Sequence, residues 1–322
     1  MKIKSYEVRR AIEDELASRR LEVKRIRQAR EDEAYSAVPE LKELDARMRS
    51  EAIRLGRTIM NSKSENASVE AELEIRLLQK KRAELLRSNG FSEDHLDFEY
   101  LCPDCRDTGR VNGELCRCVL QLAVNTAFED SGIDRVQNFE AFDLSLQKEA
   151  NNRSAMKKIL DAAVAYADSF PDNEKKDILY FGMPGVGKTY LLNCIGARVL
   201  ERGYSVLKIN AHRLIRLTMD GFRSAPEDRP DFSMPDLLII DDLGTEPMIP
   251  NITVETLLSL VCERQEMNKA TLFATNLDIV SDGSGVETLQ SRYGERFASR
   301  LIAPARVKIQ GVLTENLRLS AR

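Results

Sequence analysis

The amino-acid sequence predicts an α/β protein with a parallel sheet, preceded by an α-helical arm and a small cysteine-rich module. From about residue 151 onward, short β-branched runs alternate with segments of helical periodicity, which is typical of a parallel sheet with crossover helices. Residues 1–90 are dense in charge and hold one proline and two glycines, a composition that favours helices. Four cysteines fall between positions 102 and 118, where the two regions meet.

The composition limits what the protein can be. The chain has 322 residues, enough for about two folding units, and a formal net charge of -4. No apolar run approaches the roughly 20 residues of a membrane span, and the first residues contain no apolar secretory segment. We therefore expect a cytoplasmic protein without membrane contact. Residues 1–90 carry a net +4 and the remainder -8, so that any contact with DNA must be local.

The helical arm has two amphipathic stretches. The first forms an a/d seam, and the second repeats apolar residues at helical spacing. The first comprises Leu41, Leu44, Met48, Ala52, Leu55 and Ile59, and the second Val69, Leu73, Leu77, Leu78 and Leu85. We interpret residues 62–68 as a polar turn between antiparallel helices and Asn89-Gly90 as a carboxyl-terminal cap. The arm is either a solvated helical hairpin without chemistry or a surface that binds partners.

Five apolar runs are the strand candidates of the sheet. They are ILYFG (178–182), SVLKIN (205–210), LLIIDD (237–242), ATLFATN (270–276) and RVKIQ (306–310). Ahead of them, residues 123–150 form a predicted connector whose Phe128, Phe139 and Phe142 could anchor it. We thus expect a helical arm over 1–90, a metal module over 91–122, the connector over 123–150, and an ATPase domain over 151–322.

The strongest motif in the chain is a phosphate-binding loop. The sequence GMPGVGKT matches G-x-x-x-x-G-K-[ST], follows an apolar strand and opens a helix. Its backbone amides can cradle phosphate oxygens at the positive end of that helix. Lys188 then reaches the β- and γ-phosphates of ATP, and the Thr189 hydroxyl binds Mg²⁺. The expected nucleotide-binding residues are Gly182, Pro184, Gly185, Val186, Gly187, Lys188, Thr189 and Tyr190.

Two carboxylates end a buried strand about fifty residues later. Asp241 and Asp242 follow the run LLII, where they are costly unless they meet a cation or a water molecule. We assign Asp241 to Mg²⁺, mostly through water, and Asp242 to activation of the attacking water. The alternative is an acidic end of a strand without chemistry.

Further polar residues complete the predicted catalytic set. Asn276 closes the strand ATLFATN and can hydrogen-bond the γ-phosphate or the attacking water, although an ordinary turn residue is the alternative. Arg292, Arg296 and Arg300 are spaced four residues apart, which predicts one helical face. They form either a solvated stripe or a set of cations for a neighbouring subunit's nucleotide.

These motifs together resemble a known family. From about residue 139 to 322, the segments GMPGVGKTYL, LLIIDDLG, LFATN and YGERFASRL resemble the AAA+ ATPases of the DnaC/DnaI-type replicative helicase loaders, of which IstB-type transposition helpers are close relatives. The resemblance implies that Asn276 is sensor 1, Arg300 the arginine finger and Arg296 a second cation at that interface. About 20 residues follow this arginine segment, so we expect no helical lid domain and assign the sensor-2 role to Arg318.

The cysteine cluster predicts a structural zinc site. Cys102 and Cys105 form a C-x₂-C pair, Cys116 and Cys118 form a C-x-C pair, and four thiolates suit tetrahedral Zn²⁺. Disulfides are not expected without a secretion signal. Redox chemistry or chance clustering are the alternatives, and His95 is a spare ligand candidate. Cys194 and Cys262 are interpreted as buried small hydrophobes.

The sequence therefore leaves three functional hypotheses. The first is an ATP-switched loader that binds a hexameric replicative helicase, assembles as a ring or spiral and engages single-stranded DNA. The second is an IstB-like ATPase helper of a DNA transposase. The third is a nucleotide-gated adaptor that binds ATP without turnover. The motifs alone indicate a P-loop ATPase with a zinc-bearing accessory region, and the resemblance favours the loader.

Overall fold

The computed structural model describes residues 6–60, 65–97, 99–128, 130–279 and 287–317. The chain divides into two compact units, Met1–Glu13 together with Gly109–Arg322, and Asp14–Thr108. Among the described helices, none combines the length and the hydropathy that crossing a bilayer requires.

In the larger unit, the two-residue strands β1 (Arg110–Val111) and β2 (Glu114–Leu115) pair antiparallel, and the unit is built on a separate five-stranded sheet. Its strands are β3 (Asp177–Phe181), β4 (Val206–Asn210), β5 (Leu237–Leu243), β6 (Ala270–Thr275) and β7 (Val307–Gly311). They pair in parallel in the order β4-β5-β6-β3-β7, which confirms the predicted α/β fold class and each of the five strand candidates. Every strand is displaced by at most a residue or two from its predicted run, within the usual uncertainty of element boundaries.

Helices flank the strands of this unit, and those after β3 connect one strand to the next, as parallel pairing requires. They are α4 (Arg117–Phe128), α5 (Ala150–Ser169), α6 (Lys188–Glu201), α7 (Ala211–Gly221), α8 (Thr253–Glu266), α9 (Leu289–Tyr293) and α10 (Glu295–Leu301). One face of the sheet packs against α5 and α6 in a core that includes Leu191, Ile195, Leu237 and Ile239. Alternate residues of β5 contribute to this core because successive side chains of a strand point to opposite faces.

The predicted connector is anchored by its aromatic residues, as expected. Phe128 is buried at the end of α4, and Phe139 and Phe142 pack against the same core as α5 and α6. A short 3₁₀ turn, Leu144–Leu146, follows and precedes α5. The connector thus brings residues 137–147 to the sheet edge that carries the phosphate loop.

The smaller unit is helical. Its elements are the part of α1 (Tyr6–Ala37) from Asp14 onward, α2 (Pro39–Met60) and α3 (Glu65–Ser88). A small core forms from Ala34, Val38, Leu41, Leu86 and Leu96. Ion pairs join α2 to α3 in antiparallel order: Arg82 lies 3.1 Å from Asp45, and Arg47 lies 3.0 Å from Glu74. The helical character of this region is confirmed.

Details of the predicted hairpin differ from the structure. The described part of the arm has three helices, since the polar segment before Pro39 forms the 32-residue α1. The predicted turn over 62–68 is wrong for residues 65–68, which already belong to α3; residues 61–64 lie outside the described residues.

The apolar seams are only partly buried. Leu41 and Leu44 are buried, whereas Ala52 is exposed. On α3, Leu78 and Leu86 face inward, while Leu73 and Leu77 are 55% and 66% exposed. The side chains of Ile59 and Val69 lie outside the described residues. The prediction is therefore wrong for Leu73 and Leu77, whereas Leu78 is buried and Leu85 packs against the small core.

The predicted cap at Asn89-Gly90 is confirmed. Gly90 adopts φ +85, and the amides of Gly90 and Phe91 donate to the carbonyls of Arg87 and Leu86 at 3.2 and 3.0 Å. These bonds satisfy carbonyls that the last turn of a helix otherwise leaves unpaired. The helix α3 therefore ends where the sequence predicts.

Candidate functional site

The phosphate loop connects β3 to α6 at the carboxyl edge of the sheet. Gly185 and Gly187 adopt φ +83 and +101, a left-handed conformation that residues with a Cβ rarely tolerate. A Cβ at Gly185 would lie 2.1 Å from Oδ1 of Asn316, so that the carboxyl-terminal segment also approaches the loop closely. The loop is thus shaped to present its backbone at the amino terminus of α6, which is favourable for anions.

Lys188 is the first residue of α6, and its side chain turns back over the loop. Its Nζ donates to the carbonyls of Gly182 and Met183 at 2.7 and 2.9 Å and to Oδ1 of Asn276 at 2.7 Å. Asn276 follows directly on β6, the neighbour of β3 in the sheet. The structure therefore brings together two residues separated by 88 positions that the sequence assigned to one site.

A cavity of about 320 Å³ lies beside this lysine. Its volume falls within the range of small-molecule sites in proteins. Asp242 and Asn276 line it on the sheet side. The remaining lining residues are Gln137, Phe142, Asp143, Leu146, Gln147, Pro184, Gly185, Gly187, Lys188, Thr189, Tyr190 and Leu317. Most of the predicted phosphate-loop residues thus share one cavity.

Two of the expected nucleotide-binding residues, Gly182 and Val186, are not among the residues that line the cavity. Val186 is buried in the core. Its backbone can still belong to the phosphate cradle. Tyr190 lines the cavity, its hydroxyl donates to the carbonyl of Ala141 at 3.1 Å, and its ring meets that of Phe142 edge to face at 5.2 Å. Tyr190 thereby fixes the connector against α6.

The two strand-end carboxylates, Asp241 and Asp242, differ in their surroundings. Asp242 lines the cavity and holds the unusual φ of +52, next to a register irregularity between β5 and β6. Asp241 is buried, its Oδ2 lies 3.4 Å from Nζ of Lys208, and its Oδ1 accepts from the amide of Asp242 at 3.0 Å. Asp241 therefore positions the backbone of Asp242, while only Asp242 lies on the cavity wall.

The carboxyl-terminal segment forms a further wall that the sequence did not predict. The amide of Val312 donates to the carbonyl of Phe181 at 2.8 Å, and that of Leu317 to the carbonyl of Gly185 at 3.0 Å. The Glu315 carboxylate accepts from the amides of Lys148 and Glu149 at the start of α5. No motif marks these residues, because they reach the loop only through the position of β7, which they follow directly. Arg318, the predicted sensor-2 residue, lies outside the described residues.

The three arginines do not share one helical face, and that prediction is wrong. Gly294 adopts φ +81 and ψ 162 and separates α9 from α10. Arg292 lies on α9, where its guanidinium is 3.2 Å from Glu287 and donates to the carbonyl of Glu246 at 2.7 Å. Arg296 and Arg300 lie on α10 and are exposed. A helix-breaking glycine thus isolates the first arginine from the other two.

Glu246 is a buried acid that no sequence motif marks. It follows β5 by three residues, and its carboxylate accepts from the Tyr293 hydroxyl and, at 3.0 Å, from the amide of Gly244. Burial, reinforced by the Glu246 charge, raises the pKa of Tyr293 far above its ordinary value. Glu246 and Tyr293 thus join the segment after Asp242 to α9.

The four clustered cysteines lie together, as predicted. Their sulfur atoms are all within 4.8 Å of one another, and three of the four residues are buried. Tetrahedral zinc with bonds of about 2.3 Å needs sulfurs about 3.8 Å apart, so the donor set fits this ion. The Asp107 carboxylate accepts from the amides of Leu101 and Cys102, which holds the first turn.

The remaining cysteines and His95 have the surroundings of structural residues. Cys194 is fully buried, and burial raises the pKa of its thiol to about 12. Cys262 is half-buried, so its predicted burial is only partial. His95 packs its ring 4.8 Å from that of Phe91 and is outside the cysteine cluster found in the described residues.

Comparison with known proteins places the site in a family. A sequence profile described as "IstB-like ATP binding protein" matches residues 121–284, which include the phosphate loop, both strand-end carboxylates and Asn276. The chain belongs to the IstB-like ATP-binding family. The nucleotide-binding character of the cavity follows from this membership together with the phosphate loop that lines it.

Relatives of this IstB-like protein include an insertion-sequence protein and a helicase loader. An ATP-binding protein of insertion sequence IS5376 from Geobacillus stearothermophilus is 28% identical over 146 residues, 45% of this chain and 55% of that protein. The replicative helicase loader DnaC of Escherichia coli K12 is 29% identical over 148 residues, 44% of this chain and 56% of DnaC. The chain thus spans about half the length of the curated relatives it matches.

Solved structures similar to parts of this chain include those of DnaC and DnaI. A structure described as the DnaC helicase loader has a TM-score of 0.45 at 21% identity, covering 56% of this chain and 97% of the other. A structure of DnaI has a TM-score of 0.44 at 21% identity, covering 58% of this chain and 95% of the other.

Proposed function

We propose that this protein is a cytoplasmic ATPase that loads a replicative DNA helicase onto single-stranded DNA, with ATP binding and hydrolysis switching assembly and release. The ATPase part rests on one observation above all: the ammonium of Lys188 lies 2.7 Å from Oδ1 of Asn276 in a cavity that Asp242 also lines. The loader part is supported by the similarity to DnaC and by the helical and cysteine-bearing regions ahead of the ATPase domain.

Phosphate binding is the role of the loop and its lysine. When a triphosphate enters, Lys188 exchanges the carbonyls of Gly182 and Met183 for the β- and γ-phosphate oxygens. Charge-assisted hydrogen bonds to phosphate are stronger than those to neutral carbonyls, which drives this exchange. Thr189 would hold Mg²⁺ directly, and Asp241, which is not on the cavity wall, would hold it through water. The ion would neutralise phosphate charge when bound.

Hydrolysis is assigned to Asp242 and Asn276. The left-handed backbone at Asp242 turns its carboxylate away from the strand and onto the cavity wall, where it can accept a proton from the attacking water. Asn276 orients that water or contacts the γ-phosphate, since its amide already touches the lysine that binds the same group. The pair favours turnover over a nucleotide-gated adaptor.

Assembly is assigned to α10. Arg296 and Arg300 are exposed on this helix, so that they can reach a nucleotide bound by an adjacent copy in a ring or spiral. An arginine supplied in trans stabilises the charge that develops on the transferring phosphoryl group. Arg318 is retained as a proposed sensor-2 residue.

The helical arm supplies the proposed contact with the helicase. Leu73 and Leu77 are one helical turn apart on α3 and mostly exposed, which is costly in water unless a partner covers them. We assign residues 1–90 to partner binding, 91–122 to a zinc module, 123–150 to the connector and 151–322 to the ATPase domain. The four cysteines would hold Zn²⁺ and thereby keep the module folded.

A second candidate function is that of an ATPase helper of a DNA transposase. The IstB-like profile and the insertion-sequence relative favour it. In that case the protein would bind a transposase and DNA instead of a helicase.

One experiment separates the two functions. Purified full-length protein is mixed with the hexameric helicase of its host, circular single-stranded DNA and ATP, and the helicase retained on DNA is measured. We expect transfer, and we expect Leu73→Ser/Leu77→Ser to lose helicase capture while ATP binding persists. Glu72→Ser, on the same helix and exposed, is the matched control and should transfer normally. Capture of the host's transposase without capture of helicase would establish the second function instead.

A further inference from the structure

Gln147 has a side-chain oxygen, Oε1, that has no role in the proposed phosphate binding or hydrolysis. This residue lines the nucleotide cavity yet is only 1% exposed. Within the described part of the chain, its Oε1 has no hydrogen-bond partner. A buried acceptor without a donor costs about 1–3 kcal/mol, so a ligand that donates to this atom binds more tightly than one that does not.

The protein holds Gln147 in place from three sides. Its backbone N–H donates to the carbonyl of Leu144 at 3.2 Å. Its backbone carbonyl accepts from Nε and Nη2 of Arg153 at 3.2 and 2.9 Å. Its Nε2 donates to Oγ1 of Thr314 at 3.4 Å. Because Thr314 takes the donor end of the side-chain amide, the acceptor end is the one left for a ligand.

The surroundings of Gln147 suit a flat, mostly apolar group. Phe142, Leu146, Tyr190 and Leu317 line the same cavity, which continues to the phosphate loop. A nucleotide bound by its phosphates at the loop would extend its base along this apolar part. Apolar walls with one or two placed polar atoms are typical of pockets that select among similar ligands.

We propose that Gln147 determines the choice of nucleobase, with its Oε1 accepting a hydrogen bond from the exocyclic amino group of adenine. A base with a carbonyl oxygen at that position would instead set two acceptors against each other, which leaves both unpaired. Thr314 acts as a positioning residue for the amide. This inference rests on the proposed function, since it requires that the cavity bind a nucleoside triphosphate.

The test compares ATP with inosine triphosphate, which carries a carbonyl oxygen in place of the adenine amino group. Dissociation constants of both nucleotides are measured for the full-length protein by calorimetry. We expect ATP to bind about 5- to 10-fold more tightly, the equivalent of one hydrogen bond. In Gln147→Leu the two affinities should become equal, and Thr314→Val should lower the preference about 2- to 3-fold.

Gln137→Leu is the matched control. Gln137 also lines the cavity, but its amide is already engaged, donating to Asp134 at 3.0 Å and accepting from Asn193 at 2.8 Å. Its substitution should leave the ratio of the two affinities unchanged. Thermal unfolding of each variant checks that it is folded. If Gln147→Leu does not fold, the nucleotide preference of Thr314→Val decides the test.

Each other outcome has one meaning. Equal binding of the two nucleotides by the unaltered protein, tighter binding of inosine triphosphate, or a preference that survives both Gln147→Leu and Thr314→Val would overturn the role of Gln147 and leave the proposed ATPase standing. Failure of the unaltered protein to bind either nucleotide would overturn the proposed function itself.

Discussion

The Nζ atom of Lys188 lies 2.7 Å from Oδ1 of Asn276, and this contact joins the loop after β3 to the end of β6. The two strands are neighbours in the sheet although about 90 residues of chain separate them, because β4 and β5 are added on the far side of β6. A ligand at the phosphate loop is therefore in contact with residues from both strands at once.

Substitution of Lys188 and substitution of Asn276 are expected to impair different steps, ATP binding and ATP hydrolysis. Lys188→Ala should weaken ATP binding about 10- to 100-fold, the value of a charge-assisted hydrogen bond. Asn276→Ala should bind ATP almost normally but hydrolyse it more slowly, since its amide acts on the water or the γ-phosphate. Equilibrium binding and phosphate release measure the two effects. Equal loss of binding in both variants would show that Asn276 has no separate role.

Asp242 and Asp241 should also differ when changed. Asp242→Asn should reduce hydrolysis by about 100- to 10,000-fold with ATP binding retained, as loss of a general base does. Asp241→Asn should instead leave Lys208 without its buried ionic partner and lower the stability of the domain. Single-turnover kinetics and urea unfolding distinguish the two. The assignment of Asp242 would be wrong if its variant kept normal single-turnover rates.

The arginines on either side of Gly294 are predicted to act differently. Arg300→Ala should bind ATP normally yet lose about 1,000-fold in the hydrolysis that rises with protein concentration. Arg292→Ala is the contrasting variant and should cost about 2 kcal/mol of stability, because it removes a charged donor from buried Glu246. Normal concentration-dependent hydrolysis by Arg300→Ala would exclude a role in trans.

The cysteine cluster predicts about one zinc per chain in protein purified under reducing conditions. Metal analysis after removal of loosely bound ions measures it. Cys116→Ser should lower the zinc content and the stability of the cysteine module, whereas Cys262→Ser, half-buried in α8, should retain the full complement. Zinc-free protein with an unchanged unfolding curve would contradict the site.

Alkaline stability should depend on Tyr35. Burial and the hydrogen bond to Asp45 raise the pKa of Tyr35 to about 12 from an ordinary value of 10. The folded helical unit therefore holds this proton more tightly than the unfolded chain, a stabilisation present below pH 10 and lost as the pH rises towards 12. Tyr35→Phe should show a shallower loss of stability over that window in circular dichroism. Identical curves for both proteins would remove Tyr35 as the cause.

Sequence patterns predicted the sheet and most of the site, because the relevant signals are local. A short apolar run indicates each strand, and the glycines and Lys188 indicate the phosphate loop. What the sequence could not give is the wall formed by the carboxyl-terminal segment, including Leu317, or the inward turn of Gln147. Both depend on where distant segments come to rest in the folded chain. Leu73 and Leu77 of α3 were misassigned because leucines occupy more than one face of this helix.

The kink at Gly294 has a consequence for how this region can vary. In one continuous helix, every arginine would keep a fixed angle to the others. A change in the position of Arg300 would then also move Arg292 away from Glu246. With the break, two torsion angles at Gly294 set the direction of α10 alone. The site contains open space for a methyl group at this glycine, so its backbone conformation is the main restraint. A substitution that changes these two torsion angles would thus redirect Arg296 and Arg300, the proposed cations of a subunit contact, while Arg292 keeps its bond to Glu246.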